Sequence, residues 1–247
     1  MAMDWLASDS DLNKTPDVTA TCHVQILGTI EAATLPARDD TMLQAHASGA
    51  IAHQLVFYRS TPAVAIGRHQ VAEREARQSY CDEQEIAVIR RRTAGGAIYL
   101  DQGQQCFSLV VPQSALGTNM AERLETGASL VAAGLRQLGV DTTFKAPNDL
   151  QIEGRQKIAS VYLAERGESA LLFGSIIAEL DLKSAMQALL VPTEKLTVTG
   201  LEHAKERMTS LSELLGETPS DDRIQKALAQ GIADGLDLRM QQASTSA

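Results

Sequence analysis

The chain has 247 residues, of which 31 are acidic and 22 are basic, giving a formal net charge of −9 with histidine neutral. Hydrophobic residues make up 44% and charged residues 21% of the chain, which is typical of soluble globular domains and excludes wholesale disorder. The acidic excess argues against non-specific nucleic-acid binding, because a phosphate backbone requires a basic protein face.

Nothing in the sequence predicts membrane insertion or secretion. The longest nearly apolar stretch, 170–178, is far shorter than the roughly 20 residues that cross a bilayer. The N-terminus lacks the basic and apolar regions of a signal peptide. The three cysteines are an odd number with no close pair, which fits a reducing compartment. We therefore expect a cytoplasmic protein without a disulfide framework or a zinc knuckle.

The apolar pattern predicts one compact domain. Residues 1–20 and 241–247 lack periodicity, which predicts a loose N-terminal segment and a flexible tail. No linker or repeat divides residues 21–240. Short apolar runs predict strands in the first half, at 24–27, 55–58, 63–66, 86–89, 97–100 and 107–111.

The second half combines helical spacing with one predicted hairpin. Apolar residues recur every three or four positions from Leu116 to Leu138, just before Gly139. Strands 157–163 and 170–180 flank a charged turn and predict a hairpin. Further helices are expected at 73–84, 183–190, 210–215 and 221–236. The order of these elements predicts an α+β sheet with helices packed on it.

The segment Arg90-Arg91-Arg92-Thr93-Ala94-Gly95-Gly96-Ala97 joins two predicted strands. Three guanidiniums at one turn repel one another unless anions neutralise them, and glycines let backbone N–H groups approach a phosphate or carboxylate. The segment therefore predicts a mobile anion-binding loop. A solvated turn, with glycines for a tight reversal, is an equally good interpretation of the same residues.

A second polar segment, Gly67-Arg68-His69-Gln70, directly follows a predicted strand. Polar residues at a strand end commonly line a site, and Arg68 is suited to hold a phosphate or carboxylate bidentately. His69 is more simply explained as a solvated loop residue, because none of the histidines has metal-ligand spacing to another histidine or cysteine.

A third segment begins with Asn148 and Asp149 and leads to Lys157 at the start of a strand. Strand alternation predicts that Lys157 lies on the same face as Ala159 and Val161. An inward-facing lysine needs an anionic partner. The alternative is an edge lysine that discourages aggregation.

No familiar catalytic template is filled. The sequence lacks a Gly-x-Ser-x-Gly elbow, a Walker loop, a His-Glu-x-x-His motif and a Gly-x-Gly-x-x-Gly motif after a strand. Cys106 lies in an apolar run, where a free cysteine is usually a small buried hydrophobe. From the residues alone, the chain is either an enzyme acting on an anionic small molecule or a binder of one. Arginines, glycine amides and a lysine are the groups that would contact the anion.

Taken in order, these segments resemble the lipoate-protein ligase family, within the wider group of biotin-protein ligases and lipoyl or octanoyl transferases. The matching segments are 57–59, 62–70, 90–91, 93–108, 148–160, 174–182 and 191–214. The closing residues Lys195, Leu196, Gly200 and 207–211 look more like a ligase than a transferase.

The resemblance implies a mixed β-sheet with surrounding helices and one adenylate pocket. Lipoate would attack the α-phosphate of ATP, with Mg²⁺ as cofactor, and a lysine of a lipoyl-domain acceptor protein would then take the acyl group from lipoyl-AMP. The apolar strands beside the glycine loop would supply a tunnel for an eight-carbon chain.

The resemblance also assigns roles to individual residues. Lys157 matches the family's central catalytic lysine. Asn148 and Asp149 match a pair that lines the nucleotide and metal region, so Asp149 is the expected Mg²⁺ ligand. The other residues expected to bind acyl or adenylate groups are Arg68, Arg91, Thr93, Gly95, Gly96, Ala97, Ala159, Gly174 and Ser175.

Some positions depart from the ligase pattern. Leu100 and Leu172-Phe173 stand where ligases carry histidines, and Ala164 stands where they carry an arginine. Lys-Ile-Ala-Ser at 157–160 is similar to octanoyltransferases, which act through a cysteine thioester. Neither 142–144 nor 167–169 contains a cysteine, and this favours the ATP-dependent ligase.

Two alternatives to the ligase stay open. One is an octanoyl or lipoyl transferase acting between carrier proteins, and the other is a non-catalytic acyl or adenylate binder. Many ligases continue into a small accessory domain near where this chain stops, so a separate accessory subunit is an expected partner. Nucleic acid and membrane are not expected partners.

Overall fold

The computed structural model describes residues 20–153, 156–190, 202 and 204–243. The strands are β1 (Ala20–Ile30), β2 (His53–Ser60), β3 (Ala63–Ile66), β4 (Ala87–Arg90), β5 (Ile98–Leu100), β6 (Gln104–Pro112), β7 (Thr143–Lys145), β8 (Asp149–Gln151), β9 (Lys157–Arg166), β10 (Ser169–Ile177) and β11 (Leu238–Gln242). The helices are α1 (Leu35–Ala47), α2 (Ala72–Glu75), α3 (Gln78–Glu83), α4 (Gln113–Leu116), α5 (Met120–Gln137), α6 (Leu182–Ala188), α7 (Leu211–Leu215) and α8 (Asp221–Leu236).

The strands form two sheets. The large sheet has the order β11-β1-β2-β6-β10-β9-β8-β7, in which β1 is parallel to both of its neighbours and the remaining pairs are antiparallel. The small sheet has the order β4-β3-β5, with one parallel and one antiparallel pair. The predicted α+β fold, a mixed β-sheet with surrounding helices, is confirmed.

The central strands of the large sheet bury both faces. On β6, Phe107 and Leu109 pack into one core with α5 and α8, whereas Cys106 and Val110 pack into a second core with α1 and the small sheet. This double burial follows from the apolar sequence of β6, in which both alternating sets of side chains are largely hydrophobic. Polar side chains occur on both faces of these strands: Gln105 faces Gln225 of α8 on the first face, and Ser108 lies on the second.

The helices α5 and α8 pack closely against each other on the first face. A Cβ added at Gly231 of α8 would lie 2.4 Å from the backbone nitrogen of Gly134 in α5, so the two backbones touch where both residues are glycine. Asn119 and Ser220 cap the two helices by accepting hydrogen bonds from backbone N–H groups of the first turn. None of the described helices is long and apolar enough to span a membrane.

Several elements differ from the sequence predictions. The predicted helix 73–84 is two short helices, because Ala76 is extended and forms a β-bridge with Leu189. Helix α1 and the strands β7, β8 and β11 were not predicted. Gln241 belongs to β11, paired with His23 of β1, rather than to a flexible tail. Of the predicted terminal segments, residues 1–19 and 244–247 lie outside the described residues.

Candidate active site

A β-bulge places Lys157 on the site face of the large sheet. Leu150 of β8 pairs with Ala159, but the next residue, Gln151, pairs with Lys157, so Ile158 is the extra residue of β9. Ile158 and Ala159 both pack in the first core. The prediction that Lys157 shares a face with Ala159 and Val161 is therefore wrong, because the bulge reverses the alternation between them.

Lys157 forms an ion pair with Asp149 of the neighbouring strand β8. Its Nζ lies 2.7 Å from Oδ1 of Asp149, and both side chains are partly exposed. Residues 207–209 hold its backbone in place, since the Lys157 N–H donates to the Arg207 carbonyl at 2.8 Å and the Thr209 N–H donates to the Lys157 carbonyl at 3.0 Å. Lysine and aspartate are thus fixed side by side on neighbouring strands.

A cavity of about 190 Å³ opens beside Lys157. One wall is polar and comes from the large sheet, and the other walls are apolar and come from β5, α6 and the residues after it. The lining residues are Ala97, Ile98, Tyr99, Gln104, Lys157, Ser160, Ser175, Ile177, Leu180, Leu182, Ala185, Met186, Leu189 and Met208. The arrangement suits a ligand with one charged or polar part and one apolar part.

The cavity unites some of the predicted site residues and adds others. Ala97, Lys157 and Ser175 line it directly. Gln104 and Ser160 also line it, although they were not among the predicted site residues. The sequence carried a signal for Ser160, which is the polar residue of the apolar run 158–164, whereas Gln104 is one of several polar residues in β6.

Burial raises the pKa of Tyr99, which lines the cavity, and of the three thiols of the chain. Burial, followed by the charge of Asp101, raises the pKa of Tyr99 to about 12, so its hydroxyl stays neutral. Burial also raises the pKa of the Cys22 and Cys106 thiols to about 12. Burial and then Asp82 raise the pKa of Cys81. A nucleophilic thiolate is therefore disfavoured at all three cysteines.

The three consecutive arginines point to three different places. Arg90 donates to the carbonyls of 67, 68 and 70, with the bond to the Gln70 carbonyl at 2.6 Å. Arg91 is buried, and Nε of Arg92 lies 3.3 Å from Oδ1 of Asp40 in α1. Protein carbonyl, hydroxyl and carboxylate groups therefore contact the three guanidiniums and separate them.

Arg91 supports the glycine loop from inside the protein. Its guanidinium donates to the Ala65 carbonyl, to the Gly96 carbonyl at 2.9 Å and to Thr93 Oγ1 at 3.2 Å. The guanidinium carbon lies 4.1 Å from the ring centroid of Tyr162. The buried Arg91 and Thr93 therefore position the loop, and the exposed Gly95 and Gly96 form its outer surface.

Two glycines allow this loop to lie close to its neighbours. Gly95 has φ +104°, and a Cβ there would lie 2.7 Å from the Tyr162 ring. A Cβ at Gly67 would lie 2.0 Å from the Gly95 carbonyl oxygen. The amides of Gly95 and Gly96 donate no hydrogen bond to any described residue. These exposed N–H groups are available to a ligand, and their binding role stays a prediction.

The remaining predicted residues lie elsewhere. Arg68 is exposed at an open depression of about 460 Å³ that Arg90 and Arg92 also line. Asn148 is half-buried beside Asp149, and its carbonyl accepts from the Val161 N–H at 2.9 Å.

Ala159 and Gly174 lie on the opposite face of the sheet from the cavity. Ala159 packs in the first core, and a Cβ at Gly174 would lie 2.1 Å from the Phe107 ring. The side of β9 and β10 that these two residues occupy supports the sheet rather than the cavity. Lys195 and Gly200, which belong to the ligase-like closing segment, lie outside the described residues.

No cluster of three or more potential metal ligands of the His, Cys, Asp or Glu type occurs among the residues that the structure describes. Asp149 provides a carboxylate at Lys157, which lines the cavity. A single carboxylate fits Mg²⁺ when phosphate oxygens and water complete its coordination, because this ion is commonly held by one or two carboxylates plus substrate phosphates. Asp149 thus fits the role predicted for it.

Comparison with curated proteins places this geometry in a family context. The chain is 25% identical to lipoate-protein ligase 1 of Staphylococcus aureus over 177 residues, covering 72% of this chain and 53% of that protein. It is 30% identical to lipoate-protein ligase A subunit 1 of Thermoplasma acidophilum, covering 74% and 71%. Octanoyltransferase LipM of Kyrpidia tusciae is 26% identical, with 82% of both chains covered. The chain spans about half the length of the first relatives it matches.

Solved structures agree with the sequence relatives. The bi-partite lipoate protein ligase of Thermoplasma acidophilum superimposes with a TM-score of 0.76 at 26% identity, covering 91% of this chain and 87% of that one. A lipoate-protein ligase A bound with ATP gives a TM-score of 0.76 at 25% identity, with 90% and 88% covered. The model of the lipoyl protein ligase A/B catalytic domain matches residues 32–233. The chain belongs to the lipoyl protein ligase A/B catalytic domain family.

Proposed function

We propose that this chain joins lipoate or octanoate to a lysine of a lipoyl-domain protein at the expense of ATP. The observation that carries the proposal is Lys157, which is paired with Asp149 and which a bulge turns toward a half-polar cavity in a member of this family. The relatives of known structure include a ligase bound with ATP and a bi-partite ligase with its E2 lipoyl domain.

The reaction has two steps that the same residues serve. A carboxylate oxygen of the acyl substrate attacks the α-phosphate of ATP, and pyrophosphate leaves. The amine of the acceptor lysine then attacks the acyl carbonyl, and AMP leaves. The Lys157 ammonium donates to the α-phosphate oxygen in the first step and to the acyl oxygen in the second, where negative charge grows.

Other residues of the chain hold the reactants. The free amides of Gly95 and Gly96 bind anionic oxygens, while Arg91 and Thr93 keep the loop in position. Asp149 orients the Lys157 ammonium and would hold Mg²⁺, which neutralises phosphate charge when bound. The three free thiols support a cytoplasmic location. The bi-partite relative supports a separate accessory subunit as a partner.

The cavity is smaller than the about 300 to 1,000 Å³ of pockets for drug-sized ligands, since it measures about 190 Å³. A complete acyl-adenylate therefore needs more room than the cavity offers in this conformation.

The second candidate is octanoyl transfer between carrier proteins, which the relative covering 82% of both chains favours. That reaction needs a reactive thiol. All three cysteines are buried and have raised pKa values, which places the ligase first.

One experiment separates the candidates. The protein is incubated with a lipoyl domain and either lipoate plus Mg-ATP or octanoyl carrier protein without ATP, and the acceptor is weighed by mass spectrometry. The ligase predicts acylation only with ATP, and the Cys81→Ser, Cys106→Ser double variant keeps that activity. ATP-independent transfer that the double variant loses would establish the transferase. Ligand binding without any acylation would establish the non-catalytic binder.

A further inference from the structure

The sheet face that forms the polar wall of the cavity changes character one residue pair further along the strands. Ser160 of β9 lies opposite Ser175 of β10, and both line the cavity. The next pair on the same face is Tyr162 opposite Phe173. These two rings stack at a centroid distance of 5.7 Å and are 2% and 1% exposed. The serine pair lines the cavity and the ring pair does not, so on this face the cavity stops short of the two buried rings.

The Tyr162 ring is held in place from above. The Arg91 guanidinium lies over it at 4.1 Å, and Gly95 of the loop approaches so closely that a Cβ would come within 2.7 Å of the ring. Phe173 supports the ring from the neighbouring strand. Contacts on two sides therefore restrain the ring while the loop stays in place.

Beyond the two rings the same face remains apolar. Ala164 of β9, Leu171 of β10 and Val110 of β6 continue it in the second core. An acyl chain whose carboxyl end is fixed at Lys157 would pass the two serines and then meet the rings before it could reach this apolar region. The rings therefore separate the cavity from this apolar part of the second core.

We propose that Tyr162, supported by Phe173, is the end wall of the acyl-binding space and determines the length of the fatty acyl group that this enzyme accepts. The inference rests on the proposed acyl-adenylate function and names the residue that selects its substrate. Hydrocarbon chains reach the wall and stop there, because every further methylene would have to displace a buried ring. Each methylene that gains a buried site is worth about fourfold in affinity, from about 0.8 kcal/mol per methylene.

The test compares Tyr162→Ala with Tyr162→Phe, which keeps the ring and its contact with Arg91. Pyrophosphate release is measured with hexanoate, octanoate, decanoate and dodecanoate, and binding of the same acids is measured by calorimetry. We expect Tyr162→Ala to raise the kcat/KM ratio of dodecanoate to octanoate at least tenfold and to shift binding in the same direction. Tyr162→Phe keeps the wild-type ratio.

Leu163→Ala is the matched control. Leu163 is the next residue of β9 but faces the opposite core, so its truncation perturbs the same strand without opening the acyl space. It should lower the melting temperature and leave the length profile unchanged. If Tyr162→Ala does not fold, Phe173→Leu removes the supporting ring and is expected to shift the profile in the same direction.

The failures are distinguishable. An active wild-type protein whose length profile is the same in Tyr162→Ala, or in Phe173→Leu, overturns the end wall and leaves the proposed function standing. A profile that changes equally in Leu163→Ala also overturns it. A wild-type protein that releases no pyrophosphate with any of the acids and acylates no acceptor overturns the proposed function together with the wall.

Discussion

At the scale of single residues, Lys157 and Asp149 form an ion pair that positions the lysine side chain more than it stabilises the fold. Their side chains are 22% and 30% exposed, and pairs so accessible to solvent contribute at most about 1 kcal/mol to stability. The pair holds the ammonium at the cavity in the absence of ligand. Substitution of Lys157 should therefore affect the reaction far more than the fold.

The Lys157→Ala variant is expected to lose both half-reactions by roughly 100 to 1,000-fold, because removal of one preorganised donor to a developing oxyanion typically has that effect. Lys157→Arg should not restore activity, since a planar guanidinium displaces the charge from the position of an ammonium. Pyrophosphate release and acceptor acylation are measured separately, with a thermal melt for folding. Lys183→Ala, on the exposed side of α6, is the control. Near-native rates in Lys157→Ala would remove the lysine from the mechanism.

The arginines show what the sequence could and could not predict at this scale. Three adjacent guanidiniums beside two glycines indicated an anion site. The structure instead pairs Arg90 with loop carbonyls, Arg91 with an aromatic ring and Arg92 with a carboxylate. Their partners come from β3, α1 and β9, which are distant in sequence. Local charge repulsion predicted the need for partners, and only the tertiary fold determines which ones.

At the scale of elements, the loop of residues 93–97 joins a buried support to an exposed surface. Its Gly95 and Gly96 amides are without partners among the described residues, whereas Thr93 beneath them is fully buried. Anionic oxygens would give those amides acceptors. The loop is therefore the element whose hydrogen bonding a ligand changes most.

We expect lipoate plus Mg-ATP to slow amide hydrogen exchange in a peptide covering residues 90–97, because bound oxygens protect the free amides and order the loop. A peptide from the α5 and α8 interface serves as the internal control and should not change. Equal exchange in the loop with and without saturating ligand would show that these amides do not hold the substrate.

The contact between α5 and α8 gives a prediction about stability. A Cβ at Gly231 would lie 2.4 Å from the Gly134 nitrogen and 2.8 Å from the Leu130 carbonyl oxygen, whereas a Cβ at Gly235 would meet only the flexible end of Leu130. Gly231→Ala should cost about 1 to 3 kcal/mol through forced separation of the helices, despite its gain in helix propensity. Gly235→Ala should be within about 1 kcal/mol of the wild type in urea unfolding. Equal effects would contradict the close backbone contact.

Elements with strong local signals were predictable from the sequence. Strand β3 and helix α8 match their predicted bounds, the first because four apolar residues stand between turns and the second because Ser220, Asp221 and Asp222 mark its start. Helix α1 lacked such a signal, since it buries the charged Asp39 and only a few apolar residues. The bulge at Ile158, on which the site depends, leaves no local mark because it is a property of the pairing with β8.

At the scale of the whole molecule, His46 of α1 contacts the first residues of two strands, His53 of β2 and Ser169 of β10. His46 Nδ1 lies 2.7 Å from Ser169 Oγ, and His46 Nε2 lies 3.1 Å from His53 Nδ1. Burial, followed by the neighbouring His53, lowers the pKa of His46, and burial lowers that of His53. The unfolded chain therefore binds more protons than the folded one below the ordinary histidine pKa of about 6.5.

It follows that these histidines stabilise the fold above about pH 6.5 and lose that contribution as the pH falls toward their lowered pKa values. His46→Gln should reduce the fall in unfolding free energy between about pH 7 and pH 5, because histidine side chains titrate in that interval. His69→Gln, an exposed loop substitution, is the control. The same slope in the wild type and in His46→Gln would show that the cluster does not contribute to acid sensitivity.

A buried carboxyl in the same core acts with the opposite sign. Asp39 is 4% exposed, accepts a hydrogen bond from Ser108 at 2.8 Å, and has its pKa raised by burial to about 6. The folded protein therefore holds a proton that the unfolded chain releases between about pH 4 and pH 6, so stability present below pH 4 is lost as the pH rises through 6.

Asp39→Asn keeps the acceptor for Ser108 and removes the charge. We expect it to be more stable than the wild type by about 1 to 3 kcal/mol at alkaline pH and nearly equal near pH 4, measured by urea unfolding across that range. A constant difference at every pH would mean that Asp39 is ionised throughout, and that Arg91 rather than a proton compensates its burial.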